Sequence, residues 1–402
     1  MNTLPNQIVD TIASVIGDQS VPLHAPYFGG QEAKYVAQCV ETGWVSSVGS
    51  FVDQFERMLC DITGAKYAVA VSNGTSGLLV ALQLAGVRPG DEVLVPAMTF
   101  VATANAVSHL HAIPHLVEIE SEQLGLDPEK LGDYLAEITE VRNGVTINRT
   151  TGRPITAIVP MHAFGHPCKI QAIIAVVDRF GIAVVEDAAE SLGSKVAGQH
   201  TGTFGRLGMI SFNGNKIATT GGGGVILTDD DELGPLAKHL TTTAKVPHAW
   251  EFFHDQVGYN FRMPNLNAAL GCGQLEQLDH FLASKRNLAA RYRDAFSTID
   301  GVRFVDQPTG TESNFWLAAI VLDQDQLKER DSILTLANSR GIGLRPAWQL
   351  MNDLPMYCDN PAMDLAVAKQ VQASLINLPS GVQVAIDSPP SSSPSQSQSQ
   401  NR

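Results

Sequence analysis

Three widely separated side chains have the types needed for amine chemistry. Lys216 stands in "SFNGNKIATTGGGG", from Ser211 to Gly224, just behind the apolar run "MISF". A lysine forms a Schiff base with a carbonyl once its amine is neutral, a state favoured by desolvation or nearby positive charge. The plainer alternative is a solvent-facing cation in a glycine-rich loop. Asp187 ends the apolar run "IAVVED". A carboxylate at the rim of a buried sheet needs a partner, either a helix-start amide, a basic side chain or a protonated heterocyclic nitrogen. The third feature follows "YAVAVS", where Gly74, Thr75 and Ser76 open a helix. Unpaired amides and the positive end of the helix dipole make such a turn a seat for phosphate, unless Thr75 or Ser76 serves only as a cap. Neither G-x-G-x-x-G nor G-x-x-x-x-G-K-[ST] is present there, which disfavours a dinucleotide or a nucleoside triphosphate.

A phosphate seat, an acid for a ring nitrogen and a lysine for an aldehyde together fit pyridoxal 5'-phosphate. Glycines 221–224 would let backbone pass close to cofactor or substrate. Phe100, in "PAMTFVAT", would cover a ring face or simply pack.

Short apolar runs separated by helical stretches must position these groups. The runs are residues 67–72, 92–96, 115–120, 156–162, 182–189, 209–212 and 224–229. Short, mostly apolar runs alternating with helices predict a mostly parallel seven-stranded sheet covered on both faces, with ligands outside the carboxyl ends of its strands. Residues 1–20 carry Ile8, Ile12, Val15 and Ile16 at helical spacing, a short helix docked on the body. The large domain spans 21–265. A long helix from Asn265 to about Phe296 leads into a smaller C-terminal α/β domain, so that 266–382 form the second unit. The serine-rich stretch within 383–402 has the composition of a disordered tail.

The chain of 402 residues is 44% hydrophobic, and its 27 basic against 41 acidic residues leave a formal charge of −14. That balance opposes a nucleic-acid groove. No uninterrupted apolar stretch suggests a membrane span, and no secretory signal is evident, so the expected location is the cytoplasm. Five scattered cysteines never form C-x-x-C and read as buried free thiols. His109, His111 and His115 lack an acidic or thiol partner in the same pattern, and no metal site is expected.

The motifs "SNGTSGLLVAL" (72–82), "PAMTFVATANAV" (96–107), "VVEDAAESLGS" (184–194), "SFNGNKIATTGGGG" and "GYNFRMPNLNAALGCGQL" (258–275) resemble those of the DegT/DnrJ/EryC1/StrS nucleotide-sugar aminotransferases, of fold-type I. The resemblance implies that Lys216 is the Schiff-base lysine and Asp187 the partner of the ring nitrogen. Gly74, Thr75 and Ser211 would hold the phosphate, and Phe100 would stack on the ring. Asn260 resembles the residue that reaches the neighbouring subunit's cofactor, which implies a homodimer. Glu190 stands where glutamine or histidine is common in the family, near the ring hydroxyl.

Within the family, "GWVSSVG" (43–49), "MHAFGHP" (161–167) and "SFNGNK" look most like enzymes that aminate C4 of UDP-linked 2-acetamido-4-keto-6-deoxy sugars in legionaminic acid and bacillosamine pathways. Glutamate is the implied amino donor. His162 is expected either beside the sugar or as a hydrogen-bonded structural group. Arg262 and Arg345 are candidates for anionic groups or ion pairs. The alternatives are a cofactor-dependent sugar dehydratase, in which histidine replaces the lysine, and a catalytically idle cofactor-binding regulator.

Overall fold

The computed structural model describes residues 3–17 and 19–387. Seven strands form the main sheet: β1 (Tyr67–Val71), β2 (Glu92–Pro96), β3 (Ile113–Val117), β4 (Ile155–Ile158), β5 (Ala183–Asp187), β6 (Leu207–Ser211) and β7 (Gly224–Thr228). Their order across the sheet is β1-β7-β6-β5-β4-β2-β3. Only β7 runs against its neighbours; the other six point the same way. Each predicted run contributes a strand, with β3 starting earlier than the run that announced it.

Burial explains why these segments are strands. The residues of β2, β6 and β7 are all buried, so both of their faces need apolar cover. Leu94, Val117, Ile158 and Val184 form one packed layer with Leu131, Leu135, Ile170 and Ile173 of the covering helices. Val69, Val95, Val185 and Ile226 face the opposite layer.

The first five helices are α1 (Leu4–Ile16), α2 (Glu32–Thr42), α3 (Ser50–Thr63), α4 (Gly74–Leu84) and α5 (Val101–His109). The continuous helix expected from Asn265 to Phe296 is two helices, Asn265–Leu275 and Leu278–Phe296. The ladder breaks at Gln277, whose side chain donates to the Gly273 carbonyl at 2.9 Å and to Glu32 Oε1 at 2.6 Å. That pairing ties the break to the start of α2.

The second unit has a four-stranded antiparallel sheet of β8 (Val302–Phe304), β9 (Ala318–Leu322), β10 (Arg345–Pro346) and β11 (Leu375–Leu378), in the order β8-β9-β11-β10. Helix α1 packs here, because Ile8, Val9, Ile12, Val15 and Ile16 share a core with Leu288, Tyr292, Phe296, Ile320 and Ile376. The N-terminal helix thus belongs to the core of the smaller unit. The first residues of the expected tail are ordered as well: Val382–Asp387 is helical, and Val384 joins the same core. Residues 388–402 lie outside the described residues.

Glu118 joins the two units. Its buried carboxylate accepts the N–H groups of Val367 at 2.7 Å and Ala368 at 2.9 Å, at the positive end of helix Ala366–Ser374. Among the described residues, no helix is long and apolar enough to cross a membrane.

Ile12 is fully buried against this second core. Ile12→Ala is expected to cost about 2–4 kcal/mol in urea unfolding. An unchanged midpoint would show that α1 contributes no packing.

Candidate active site

The register of three strands builds the centre of the site. Gly224, first in β7, pairs with Val71 on one side and Ser211 on the other. This brings the turn after β1 against the end of β6. Asn73 caps α4 by accepting the Ser76 N–H at 2.9 Å, which leaves Gly74 and Thr75 in the first turn, without acceptors four residues back. A Cβ on Gly224 would lie 2.8 Å from the Asn73 carbonyl and 2.9 Å from the Gly74 nitrogen. Only a residue without a side chain lets β7 pass beneath that turn.

Asp187 pairs in register with Met209, two residues before Ser211. Its Oδ2 accepts the Thr103 hydroxyl at 2.7 Å, and its Oδ1 accepts the Ala189 N–H at 3.1 Å. Burial pushes its carboxyl above the usual range, opposed by Thr103, Ala189, Lys216 and His162. Thr103 has no sequence signal linking it to Asp187; only the packing of α5 over the sheet brings them together.

Lys216 follows β6 in a loop closed by three backbone bonds: Lys216 N–H to the Asn213 carbonyl, Thr220 N–H to Phe212 and Phe212 N–H to Gly223. Its amine is inside, not in solvent. Nζ donates to Glu190 Oε1 at 3.2 Å and lies 4.0 Å from the centre of the Trp316 ring. Glu190 is buried, and its other oxygen accepts the Phe164 N–H at 2.8 Å. Burial pushes the Glu190 carboxyl up to about 7, against the pull of Lys216 and that N–H. The amine is thus desolvated as expected, but its neighbours are a carboxylate and an aromatic face where a cation was the alternative expectation. Glu190 Oε1 is in place to accept the proton that must leave Nζ.

A cavity of about 290 Å³ joins these groups, lined among others by Gly74, Thr75, Phe100, Asp187, Glu190, Ser211 and Lys216. Seven of the eight sequence-predicted site residues therefore meet in one place. Asn260 does not; it is exposed, bridged to Thr242, on the segment beside β1. Trp316, Trp348, Asn213 and Asn215 also line the cavity. Trp316 was missed because "NFWLAAIVL" reads only as a strand, and a strand pattern carries no sign of which domain it faces.

Other candidates resolve into structural roles. His162 is wholly buried, with Nε2 at 3.0 Å from Glu186 and Nδ1 accepting the Cys168 N–H at 3.1 Å. It is away from the cavity wall, and the same Glu186 accepts the N–H groups of Gly202, Phe204 and Gly205. Arg262 pairs with Glu56 at 2.6 Å. Arg345 borders a neighbouring cavity of about 470 Å³ that shares Asn215, Trp316 and Trp348 with the first. His115 is buried between Glu92 and Tyr134. The cysteines are free, but Cys358 is exposed and Cys60 half-buried, contrary to the expectation that all are buried.

The residues present fit pyridoxal phosphate. Backbone N–H groups at a helix start and the hydroxyls of Thr75 and Ser211 suit the phosphate, a buried acid suits the ring nitrogen, and a buried primary amine suits the aldehyde.

Comparison with known proteins agrees. The family described as the DegT/DnrJ/EryC1/StrS aminotransferase family matches residues 26–388. GDP-perosamine synthase of Caulobacter vibrioides is 35% identical over 363 residues, covering 89% of this chain and 92% of that protein. GDP-perosamine synthase of Vibrio cholerae is 34% identical, covering 84% and 87%. The crystal structure of the aminotransferase TlmJ from Streptoalloteichus hindustanus superposes with a TM-score of 0.80 at 27% identity, covering 90% of this chain and 93% of that one.

The Glu190 environment has a measurable consequence. With a folded value of about 7 above the ordinary 4.5, the native state holds an extra proton between those pH values. Stability of the cofactor-free protein must then fall as pH rises through that window. Glu190→Gln is expected to remove this loss, so the variant gains on the wild type in urea midpoints taken from about pH 4.5 to 7.5. Parallel curves would contradict it.

Proposed function

The chain belongs to the DegT/DnrJ/EryC1/StrS aminotransferase family, whose members use pyridoxal phosphate, and on that premise we propose that it aminates a nucleotide-linked keto sugar. The substrate is a nucleotide-linked 4-keto-6-deoxy sugar aminated at C4, UDP-2-acetamido-2,6-dideoxy-hexos-4-ulose, with glutamate as donor. Its product serves legionaminic acid or a related surface sugar. The two relatives named for a GDP-linked product support the nucleotide-sugar class. The subgroup motifs at 43–49, 161–167 and 211–216 support the particular sugar.

The single observation that carries this reading is Lys216 Nζ, buried at one cavity wall with Glu190, while Asp187 lines the same cavity. When bound, the cofactor supplies an electron sink for the carbanion formed at the substrate carbon. The chain's own groups do the rest. Gly74, Thr75 and Ser211 anchor the phosphate, and Phe100 covers the ring. Asp187 holds a proton on the ring nitrogen. Glu190 accepts the Nζ proton of Lys216, and the freed Nζ carries the proton between the reacting carbons.

A homodimer follows in this reading from a run of exposed apolar groups. Trp250, Phe252, Phe253 and Val257 are exposed on the segment preceding Asn260, and Trp44 and Val48 are exposed elsewhere. An apolar surface of this kind suits contact with a second copy, with Asn260 at the base of the contacting loop.

The test offers a panel of nucleotide-linked 4-keto sugars with glutamate and identifies products by mass and NMR. An aminated C4 sugar is expected; a deoxy sugar without a new amine would point to the dehydratase instead. Lys216→Ala is expected to retain cofactor and lose turnover by roughly a thousandfold or more. Near-normal turnover would remove the lysine's role. Asp187→Ala is expected to lower kcat by roughly 100-fold. Wild-type rates would mean that another group protonates the ring.

A further inference from the structure

The two groups that meet the Lys216 amine come from different parts of the fold, and one buried side chain bonds to both of their backbones. Glu190 lies in the loop after β5 and Trp316 just before β9. Asn314 is fully buried between them. Its Nδ2 donates to the carbonyls of Glu190 and Leu192, each at 2.9 Å, and its Oδ1 accepts the Trp316 N–H at 2.8 Å. Both amide hydrogens and the oxygen are engaged, so the side chain has one orientation. The fit is close, since a Cβ on Gly165 would lie 1.9 Å from Asn314 Oδ1, and Gly165 has a φ of +94°.

Trp316 is held at two further points. Lys285 Nζ donates to its carbonyl at 3.1 Å and also to the Ser380 carbonyl. The indole Nε1 donates to the Asn215 carbonyl at 2.7 Å, in the same loop as Lys216. The ring over the amine is therefore held from both units, through Lys285 and Asn215, while the carboxylate beside it is held by Phe164 of the larger one. Asn314 sets the spacing between them.

We infer that Asn314 is a positioning residue for Lys216: by tying the Glu190 backbone to the Trp316 backbone it keeps the Glu190 carboxylate and the Trp316 ring face against the amine. The inference rests on the assignment of Lys216 as the cofactor-binding amine, and it is independent of which sugar is used. The titratable groups facing Lys216 are Glu190, Asp187 and His24. Releasing either backbone lets the carboxylate that takes the Nζ proton and the ring that bounds the amine move away from it, which slows attack by the amine without abolishing it.

The test mixes cofactor-free protein with pyridoxal phosphate at one fixed pH and follows condensation by absorbance. The neutral amine attacks the aldehyde carbon, a C=N bond replaces C=O, and the oxygen leaves as water, so the rate reports how the Lys216 amine and its neighbours are placed. Asn314→Ala is expected to slow that condensation roughly tenfold. In the loaded enzyme it is expected to reduce kcat more than it raises KM. Ser313→Ala is the control. Ser313 is equally buried and bonds to Gly165 and Phe315, without touching Glu190 or Trp316. It is expected to leave the rate in place. An unchanged rate in folded Asn314→Ala, or an equal loss in Ser313→Ala, overturns the inference. Should Asn314→Ala fail to fold by circular dichroism, Asn314→Ser keeps a shorter polar group that cannot span both backbones. Its rate must fall too, and a wild-type rate overturns the inference. If the wild type does not condense at all, the Lys216 assignment itself fails, which Lys216→Ala distinguishes by its turnover.

Discussion

The pairing of Lys216 Nζ with Glu190 Oε1 inside the protein is the interaction on which the site depends. Removing either charge from water costs several kcal/mol, so each needs the other together with further hydrogen bonds. Glu190 has the Phe164 N–H, and the amine has the Trp316 ring. Those partners come from separate segments, so the lysine is in place only when the loop after β5, the loop after β6 and the smaller sheet are all assembled. An amine on a flexible stem has thereby become a group of defined position.

Strand register supplies the remaining geometry. Because Val71, Gly224 and Ser211 stand in one row, the helix that starts after β1 lies against the hydroxyl at the end of β6. Because Asp187 pairs with Met209, the acid at the end of β5 stands level with the position two residues before Ser211 on β6. The four strands that contribute the predicted residues, β1, β2, β5 and β6, all point the same way. Their carboxyl ends open on a single edge, where side chains can converge without interrupting the sheet ladders. The antiparallel β7 enters this edge with glycine, which lets two backbones approach where a methyl group would collide.

The legible part of this arrangement followed simple rules. A strand covered on both faces is mostly apolar, with any buried polar group paired, so the seven runs showed themselves. A tight turn opening a helix with Gly74 and Thr75 showed a place for an anion, and an acid closing an apolar run showed Asp187. Other features had no such rule. Thr103 and Asp187 meet through the packing of a helix on the sheet. Arg262 looked available for a ligand, yet it pairs with the buried Glu56 carboxylate. His162 stood in a suggestive motif, yet it faces Glu186 behind the strand that bears Asp187, because successive residues of a strand point to opposite faces. The break after Leu275 sits where Gln277 pairs with Glu32 in α2, a contact that helical periodicity cannot register.

The amino-acid order by itself determined the alternation of strands and helices, the family and the identity of seven of the groups that line the main cavity. These follow from local hydrophobic period and from motifs read along one segment at a time. Tertiary structure alone decided what surrounds the amine, which charges are partners and which are only braces. It also decided that the first helix packs with the last strands. Those outcomes depend on contacts between residues far apart in the chain, whose energies exist only after burial has removed water from between them.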